Sequence, residues 1–216
     1  MKNIEILGIS KDSIAVILDL LKEVVPEASF TLYPNINSEI KPSLPIKEIQ
    51  YQIKPLNSAP NNSNKVFFGC ATPKIKKSIY TYFNKNHNIS KENFLKILHP
   101  SSYIADTSIV ENGVLIEPHV VISSQSSIGF GVYIKRGSLI GHHNNIGDFS
   151  DINPGVTISG KVAIGIGCTI GSGVVIRDNV NIGDNTIIGI GSVVTKNIPA
   201  NCIAYGNPCK IISKIE

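Results

Sequence analysis

Residues 122–158 read, in groups of six, ISSQSS IGFGVY IKRGSL IGHHNN IGDFSD INPGVT I. Each group begins with isoleucine, and the same register extends along the chain in both directions. From residue 104 to residue 194, every sixth position is Ile or Val: Ile104, Val110, Ile116, Ile122, Ile128, Ile134, Ile140, Ile146, Ile152, Ile158, Ile164, Ile170, Ile176, Ile182, Ile188 and Val194. This unbroken hexapeptide repeat decides the fold.

A strict period of six excludes the common alternatives. A helix would spread these side chains around its surface, and a stack of hairpins would show a period of two. Short strands joined by tight corners do fit, because three hexapeptides make a triangular coil and coils stack about 4.8 Å apart through parallel strand hydrogen bonds. The sequence therefore predicts a parallel β-helix of slightly more than five coils, with the repeated aliphatic side chains pointing inward.

Two neighbouring positions follow the same period. The residue two before the aliphatic one is small, as at Ser102, Ser108, Ser126 and Ser138. The residue after it is often glycine, which we expect to supply corner conformations that other residues adopt only with strain. These glycines are Gly129, Gly141, Gly147, Gly165, Gly171, Gly183 and Gly189.

Residues 1–99 follow a different pattern. Segments 4–9, 28–33 and 66–70 are typical of strands, and segments 12–25 and 73–84 are typical of helices. A Pro-, Asn- and Ser-rich stretch, 34–64, is expected to be mostly loop. This order predicts a small α/β parallel-sheet (Rossmann-like) domain over 1–99, followed by the β-helix domain over 100–216. Loops 8–13 and 69–73 follow strands, where such sheets bind ligands.

The composition narrows the class of function. The net charge is +4, and no run of basic residues exceeds two, so the chain has no electrostatic footprint for nucleic acid. No stretch approaches the ~20 apolar residues that span a bilayer. Charged residues near the N-terminus interrupt any signal-peptide core, so we expect a cytoplasmic protein with no membrane association. The cysteines have no metal-binding spacing, which is typical of unpaired thiols: Cys70, Cys168, Cys202 and Cys209.

The most distinctive polar segment is GHHNNIGD, residues 141–148, at the corner that follows Ile140. Of the five histidines, His119, His142 and His143 lie inside the repeat. A histidine pair at a solvent-facing corner suits acid–base catalysis. It also suits plain surface decoration, because β-helix corners tolerate polar residues. The residues alone leave both interpretations open.

The segment GHHNNIGDFSDINPGVTISGKVAIG, residues 141–165, resembles the active-site coil of the hexapeptide-repeat (left-handed β-helix) sugar acetyltransferases. Within that family it is similar to the branch of sialic acid O-acetyltransferases and nucleotide-4-amino-sugar N-acetyltransferases. The resemblance extends to VFFGCATPKIKKSIY (66–80), ILHPSSYI (97–104) and AYGNPCKII (204–212). It implies a left-handed helix and acetyl transfer from acetyl-CoA to an amino or hydroxyl group of a sugar, nucleotide-linked or a sugar acid, for a bacterial surface glycan.

The resemblance also implies roles for the histidine corner. The family's histidine at this corner is the general base, which matches His142. A carboxylate usually follows it, where this chain has His143, so we expect both histidines in the catalytic site with Asp148, Asp151 or a backbone carbonyl orienting the His142 ring. No covalent intermediate is required. The backbone N–H of Gly160, eighteen residues after His142, is implied as a donor to the thioester oxygen.

Acetyl-CoA in this family lies in a groove between neighbouring subunits, which implies a homotrimer. Asp151 stands where many members have a second histidine that contacts the cofactor. The corner positions are also ordinary turn residues, and the lysine, a candidate for the cofactor's phosphates, is also an ordinary surface charge. The positions that match cofactor contacts are Asp151, Gly160, Ser172, Ile190 and Lys210.

The acceptor, a small-molecule sugar or nucleotide sugar, is expected at the N-terminal domain. Sugar-nucleotide members have a first loop that reads G-x-x-G-H-G and an acidic pair after the second strand. This chain reads GISKDS at 8–13 and ends its second strand with Tyr33 and Pro34, so only Gly8 matches. The candidates for ligand contact, each of which also has a turn or helix-cap interpretation, are Gly8, Ser10, Lys11 and Thr72.

Two functions of other classes compete with acetyl transfer. A metalloenzyme of the γ-carbonic-anhydrase type needs three histidines that converge on zinc from adjacent subunits. His119 and the 142–143 pair do not reproduce that spacing. A non-catalytic solenoid used for assembly or recognition would neither bind acetyl-CoA nor depend on His142.

Overall fold

The computed structural model describes residues 2–10, 13–34, 49–55, 58–61 and 63–215. The chain divides into two compact units, Met1–Ile97 and Leu98–Glu216.

The first unit is built on a parallel sheet. Strands β1 (Lys2–Leu7), β2 (Ala28–Tyr33), β3 (Tyr51–Ile53) and β4 (Lys65–Phe68) lie in the order β3-β2-β1-β4. Helix α1 (Ile14–Val24) connects β1 to β2, and helix α2 (Pro73–His87) follows β4. A 3-10 turn (Lys91–Asn93) and strand β5 (Ile97–Leu98) complete the series. Among the described residues, no helix combines the length and apolarity needed to cross a membrane.

The predicted strands and helices of this unit are found close to their expected bounds. Helix α1 buries the predicted apolar face, Ile14, Ile17, Leu18 and Leu21. Strand β3 is a difference, because it lies in the stretch 34–64 that was expected to be mostly loop. It is a three-residue edge strand, paired with β2 from Phe30↔Tyr51 to Leu32↔Ile53. An edge strand has one neighbour and an exposed side, so its sequence carries no buried apolar run.

The second unit is a parallel β-helix of two-residue strands, one in each hexapeptide. Each pairs in parallel with the strand eighteen residues later, as in Ile134↔Ile152 and Ile152↔Ile170. The strands are β6 Tyr103–Ile104, β7 Ile109–Val110, β8 Leu115–Ile116, β9 Val121–Ile122, β10 Ser127–Ile128, β11 Tyr133–Ile134, β12 Leu139–Ile140, β13 Asn145–Ile146, β14 Asp151–Ile152, β15 Thr157–Ile158, β16 Ala163–Ile164, β17 Thr169–Ile170, β18 Val175–Ile176, β19 Asn181–Ile182, β20 Ile187–Ile188 and β21 Val193–Val194. An antiparallel pair, β22 (Cys202–Gly206) and β23 (Cys209–Lys214), follows them.

The strands form the three faces of a triangular prism. Face 1 runs β5-β8-β11-β14-β17-β20-β22-β23, face 2 runs β6-β9-β12-β15-β18-β21, and face 3 runs β7-β10-β13-β16-β19. The turns between faces stack into three edges. Edge 1–2 includes 136–137, 154–155, 172–173 and 190–191; edge 2–3 includes 124–125, 142–143, 160–161 and 178–179; edge 3–1 includes 130–131, 148–149, 166–167 and 184–185.

The repeated aliphatic residues fill the prism, as predicted. From Ile116 to Val194 each is at most 3% exposed. Ile104 and Val110 are only partly buried, since they belong to the first coil and have a stacked neighbour on one side. Burial of one such side chain contributes about 1.5–3 kcal/mol.

Serines two residues before the aliphatic position tie consecutive coils together. The Ser138 hydroxyl donates to the Asn153 carbonyl at 3.0 Å and accepts the Val156 N–H at 3.3 Å. The Ser150 hydroxyl likewise donates to the Gly165 carbonyl and accepts the Cys168 N–H, both at 2.9 Å. These buried hydroxyls satisfy corner groups that the strand ladder leaves unpaired.

Glycine occupies the positions after the aliphatic residues for a different reason from the one expected. A Cβ on Gly147 would lie 2.6 Å from the carbonyl carbon of Gly165 in the next coil. The left-handed backbone conformation occurs two residues later, where glycine is common, as at Gly137 (φ 71°), but His143 and Asn179 also occur. The expectation of special backbone angles at the 129–189 glycine series is therefore wrong: close stacking of coils excludes a side chain there.

We expect Gly147→Ala to destabilise the fold by about 1–3 kcal/mol, because the new methyl group would overlap backbone that cannot move aside. Gly137→Asn is the matched control: no atom lies within 4 Å of its Cβ position, and asparagine adopts the left-handed conformation at the equivalent Asn179 and Asn185. Its effect should stay within about 1 kcal/mol. Urea denaturation at one fixed protein concentration measures both, and equal losses would contradict this assignment.

Candidate functional site

His142 and His143 occupy the turn between β12 and β13 on edge 2–3, and both are exposed. Their Nδ1 atoms lie 2.9 Å apart, within hydrogen-bond distance. The two rings are nearly perpendicular, at 88°, with centroids 5.0 Å apart. The two histidines predicted as catalytic are thus in direct contact.

Neighbouring coils fix the backbone of this turn. The His143 N–H donates to the Ser124 carbonyl at 3.0 Å, and the Lys161 N–H donates to the His142 carbonyl at 2.9 Å. His143 has a φ of 58°, the left-handed conformation that recurs at this turn position in the other coils. The side chains therefore project from a rigid support.

Asn144 stabilises the turn through buried hydrogen bonds, and it is only 2% exposed. Its Nδ2 donates to the carbonyls of Gly141 and Ser159, both at 2.9 Å, and its Oδ1 accepts the Val162 N–H at 2.7 Å. It replaces the bridging serine of other coils and adds one bond, to the residue immediately before the histidine pair. Asn144 thus anchors the catalytic candidates although it does not contact them.

Gly160 lies directly beside the His142 ring. A Cβ at this position would come within 2.7 Å of both Cε1 and Nε2 of the imidazole. The absence of a side chain therefore makes room for the ring. The Gly160 N–H already donates to Asp178 Oδ1 at 2.7 Å, so it is not free to meet a thioester oxygen as the resemblance implied.

The two carboxylates expected to orient His142 have other partners. Asp148 lies on edge 3–1, where its Oδ1 accepts the Phe130 N–H at 2.9 Å. Asp151 lies on face 1, where its Oδ2 forms a 2.9 Å ion pair with Lys135, which also donates to Asn153 Oδ1 at 2.7 Å. The expectation of Asp148 or Asp151 at the His142 ring is corrected: the group in contact with Nδ1 is His143.

The residues that match cofactor contacts are divided between elements within one chain. Gly160 is beside His142 on edge 2–3. Ser172 and Ile190 stack on edge 1–2, and Ile190 is 80% exposed. Asp151 is on face 1 and is 5% exposed, and Lys210 is exposed on β23. Face 2 separates the edge that carries His142 from the edge that carries Ser172 and Ile190.

The acceptor candidates lie at one edge of the N-terminal sheet, where the strand order reverses between β1 and β4. The Ser10 N–H donates to the Gly69 carbonyl at 3.1 Å, which joins the loops after β1 and β4. Gly8 has a φ of 79°, and a Cβ on Gly69 would overlap the Gly8 carbonyl oxygen. Thr72 precedes α2, and within the described residues its hydroxyl makes no capping bond to that helix. Lys11 lies outside the described residues.

The cysteines are unsuited to nucleophilic attack. Cys70, Cys168 and Cys202 are buried, and Cys209 is half-buried. Burial raises the pKa of Cys168 to about 11 and that of Cys70 to about 12, so both thiols stay protonated near neutral pH. In the described part of the chain, no three His, Cys, Asp or Glu side chains converge as metal ligands.

Solved structures that the chain resembles along nearly its whole length include acetyltransferases. Perosamine N-acetyltransferase from Caulobacter crescentus, solved as a histidine-to-asparagine variant with CoA and GDP-perosamine, is 19% identical with a TM-score of 0.79, over 99% of this chain and 98% of that one. The acetyltransferase domain of PglB from Neisseria gonorrhoeae, solved with acetyl coenzyme A, is 18% identical with a TM-score of 0.82, over 98% and 99%. The chain shares their fold.

A third structure, WeeI from Acinetobacter baumannii, is 24% identical with a TM-score of 0.82, over 98% of this chain and 100% of that one. No protein-family model and no curated protein matches the sequence. The structural likeness confirms the predicted fold class, a small parallel-sheet domain followed by a left-handed parallel β-helix.

Asn144 and Asp178 were not among the predicted site residues. Asn144 occupies the position where several other repeats have serine, directly after the histidine pair. This replacement of serine by asparagine was the sequence signal that could have identified it. Asp178 follows a recurrent rule in this chain, since Asp148 and Asp184 also accept the N–H of the residue eighteen positions earlier. That rule becomes visible only when the corner stacking is known.

We expect Asn144→Ala to destabilise the protein by about 2–3 kcal/mol, because the Ser159 carbonyl and the Val162 N–H lose the bonds that Asn144 makes to them. The Gly141 carbonyl keeps the bond from the Ser126 hydroxyl. Asn144→Ser should cost roughly 1 kcal/mol, since a serine hydroxyl makes the equivalent bonds at Ser138 and Ser150. Urea denaturation measures both changes. If serine is no better than alanine at this position, the bridging role of Asn144 is refuted.

Proposed function

We propose that this protein transfers an acetyl group from acetyl-CoA to an amino or hydroxyl group of a sugar, for incorporation into a bacterial surface glycan. The observation that carries the proposal is the His142–His143 pair, which projects from a rigid exposed turn beside Gly160, where the absence of a side chain makes room for the His142 ring. The fold shared with acetyltransferases solved with CoA or acetyl-CoA supports it. The proposed site of action is the cytoplasm, where acetyl-CoA is made and used.

His142 acts as the general base in this proposal. Its Nε2 takes a proton from the acceptor amine or hydroxyl as that atom bonds to the thioester carbonyl carbon. The carbon–sulfur bond then breaks, and the proton passes from His142 to the departing thiolate to give free CoA. An imidazole suits both steps because it gains and loses a proton near neutral pH.

Transfer is direct, without an acyl-enzyme intermediate. Burial raises the pKa of the Cys70 thiol to about 12 and that of the Cys168 thiol to about 11, so neither is a nucleophile near neutral pH. In this proposal Gly160 does not donate to the thioester oxygen as expected, since its N–H is bonded to Asp178. We assign Gly160 a steric role: it leaves space for the imidazole and for the thioester next to it.

The acetyl-CoA groove requires a second copy of the chain. Edge 2–3 with His142 and edge 1–2 with Ser172 and Ile190 are the two borders of face 2. If face 2 of each subunit points toward a three-fold axis, edge 2–3 of one subunit meets edge 1–2 of the next. The residues that one chain keeps apart would then line a shared groove, with Ile190 offering an apolar contact and Lys210 a cation for phosphate.

The outer surface of face 2 supports this arrangement. Its outward column carries four exposed apolar side chains, Tyr103, Val121, Leu139 and Val175, together with the half-buried Thr157 and Val193. The corresponding column of face 3 begins with the exposed Ile109 and is otherwise small or polar: Ser127, Asn145, Ala163 and Asn181. A stacked apolar column on an exposed sheet face is typical of a surface that another protein surface covers.

The acceptor is proposed to bind at the N-terminal unit, 1–99, in the loops after β1 and β4, with the β-helix, 100–216, carrying out the transfer. Gly8, Ser10 and Thr72 lie where the strand order reverses, the ligand-binding position of open parallel sheets. Lys11 follows Ser10 in the sequence and is proposed as a further contact on that ground alone. A nucleotide-linked sugar is the favoured class, in line with the GDP-perosamine in the Caulobacter complex.

We expect His142→Ala to lower acetyl transfer by roughly 10²- to 10⁴-fold, the usual contribution of a general base. The assay measures thiol release from acetyl-CoA with a panel of free and nucleotide-linked amino sugars. Ile166→Ala is the matched control, because Ile166 is exposed at the same turn position on edge 3–1. It should keep wild-type turnover.

Circular dichroism and sedimentation should show that the fold and assembly of both variants are unchanged. Undiminished turnover in His142→Ala would remove His142 from the mechanism. Absence of thiol release and of acetyl-CoA binding across the panel in the wild-type protein would favour a non-catalytic solenoid instead.

We expect Leu139→Glu to dissociate the trimer and abolish acetyl transfer, since it puts a charge on face 2, where Leu139 is 47% exposed in the single chain. Ile109→Glu is the control, because Ile109 is 61% exposed on face 3. Sedimentation velocity should give a trimer for the wild type and the control, and a monomer for Leu139→Glu. A trimeric Leu139→Glu would place the interface elsewhere.

A further inference from the structure

We propose that His143 is the positioning residue of this site: its Nδ1 accepts the Nδ1–H of His142 and thereby holds His142 in the tautomer that can act as a base. The inference rests on the proposed function for its consequence in catalysis. Sugar acetyltransferases of the family that the sequence resembles usually have a carboxylate after the catalytic histidine. Here a second imidazole makes the contact.

The geometry allows one proton between the two rings. With Nδ1 atoms 2.9 Å apart, one nitrogen donates and the other accepts. If His142 is the donor, its Nε2 carries a lone pair and can take the acceptor's proton. If His143 were the donor, Nε2 of His142 would already be protonated and could not act as a base. The direction of this one bond therefore decides whether His142 is competent.

The turn backbone gives His143 a fixed place from which to act. Its N–H donates to the Ser124 carbonyl, and its φ of 58° is the conformation that this turn position adopts in other coils. During turnover, the proton that enters at Nε2 makes His142 an imidazolium, whose Nδ1–H still has a neutral acceptor. His143 thus supports both protonation states of its neighbour, in the manner of the orienting carboxylate of hydrolytic triads.

The chain itself supplies the matched variants. Asparagine places Oδ1 two bonds from Cβ, as histidine places Nδ1, so His143→Asn keeps an acceptor in the same position. Glycine removes the acceptor. Both residues occur at the equivalent turn position in other coils, asparagine at Asn179 and Asn185 and glycine at Gly137 and Gly155, so neither change strains the backbone.

In the thiol-release assay, we expect His143→Gly to lower kcat roughly 10- to 100-fold with little change in the KM for acetyl-CoA, because the lost bond involves a group that becomes charged. His143→Asn should stay within about threefold of wild type. Equal losses in both variants would overturn the acceptor role, and so would a His143→Gly enzyme with wild-type kcat.

The tautomer gives a readout that needs no acetyl transfer. Nitrogen-15 NMR of histidine-labelled protein, with the His142 signals assigned by their loss in His142→Ala, reports which ring nitrogen carries the proton. We expect protonated Nδ1 in the wild type and in His143→Asn, and a shift toward protonated Nε2 in His143→Gly. A wild-type His142 protonated on Nε2 overturns the inference even in an active enzyme. Protonated Nδ1 in a protein without acetyl transfer would refute the proposed function and leave the positioning contact in place.

Discussion

The stacking of one coil on the next, with a fixed offset of eighteen residues, is the constraint on which the rest of this structure depends. Parallel strand bonds set the offset on each face, and the buried aliphatic column maintains it. Contacts between neighbouring coils shape the histidine corner: Gly160 lies beside His142, Asp178 accepts the Gly160 N–H, and Asn144 accepts the Val162 N–H. A slip of one residue would turn the aliphatic side chains outward, so the position of each corner group is strongly specified.

This constraint explains how exposed side chains can form a precise site. Function in most folds uses pockets, where packing holds the reactive groups. Here the two imidazoles are exposed, yet their backbone is bonded to Ser124 on one side and to Lys161 on the other. The remaining freedom is in the side-chain torsions, and the contact between the two Nδ1 atoms restricts those. The site is therefore built from a rigid edge and one internal hydrogen bond.

The strand and helix pattern of residues 1–99 predicted the parallel-sheet unit. The repeat predicted the coil register, the inward aliphatic column and the corner that carries His142. It could not separate the two kinds of glycine. Glycine is required where coils stack too closely for a side chain and is favoured where φ is positive, and the sequence does not distinguish the two cases. It also could not find the partner of the His142 ring. Asp148 and Asp151 are close in sequence, but each sits on a different surface of the prism and is bonded there. A side chain's direction at a corner depends on torsions that no six-residue pattern encodes.

The separation of His142 from the proposed cofactor positions Ser172 and Ile190, on two different edges, has a geometric consequence. A contact that uses edge 2–3 of one copy and edge 1–2 of another is heterologous, so each copy has one of each edge left to bind a further copy. Such contacts either form a filament or close into a ring. Because both edges border the same flat face of a triangular prism, three copies with that face inward use every edge once and bury all three apolar columns. In the proposed trimer neither edge is left free, and the ring has three equivalent grooves, each with one His142.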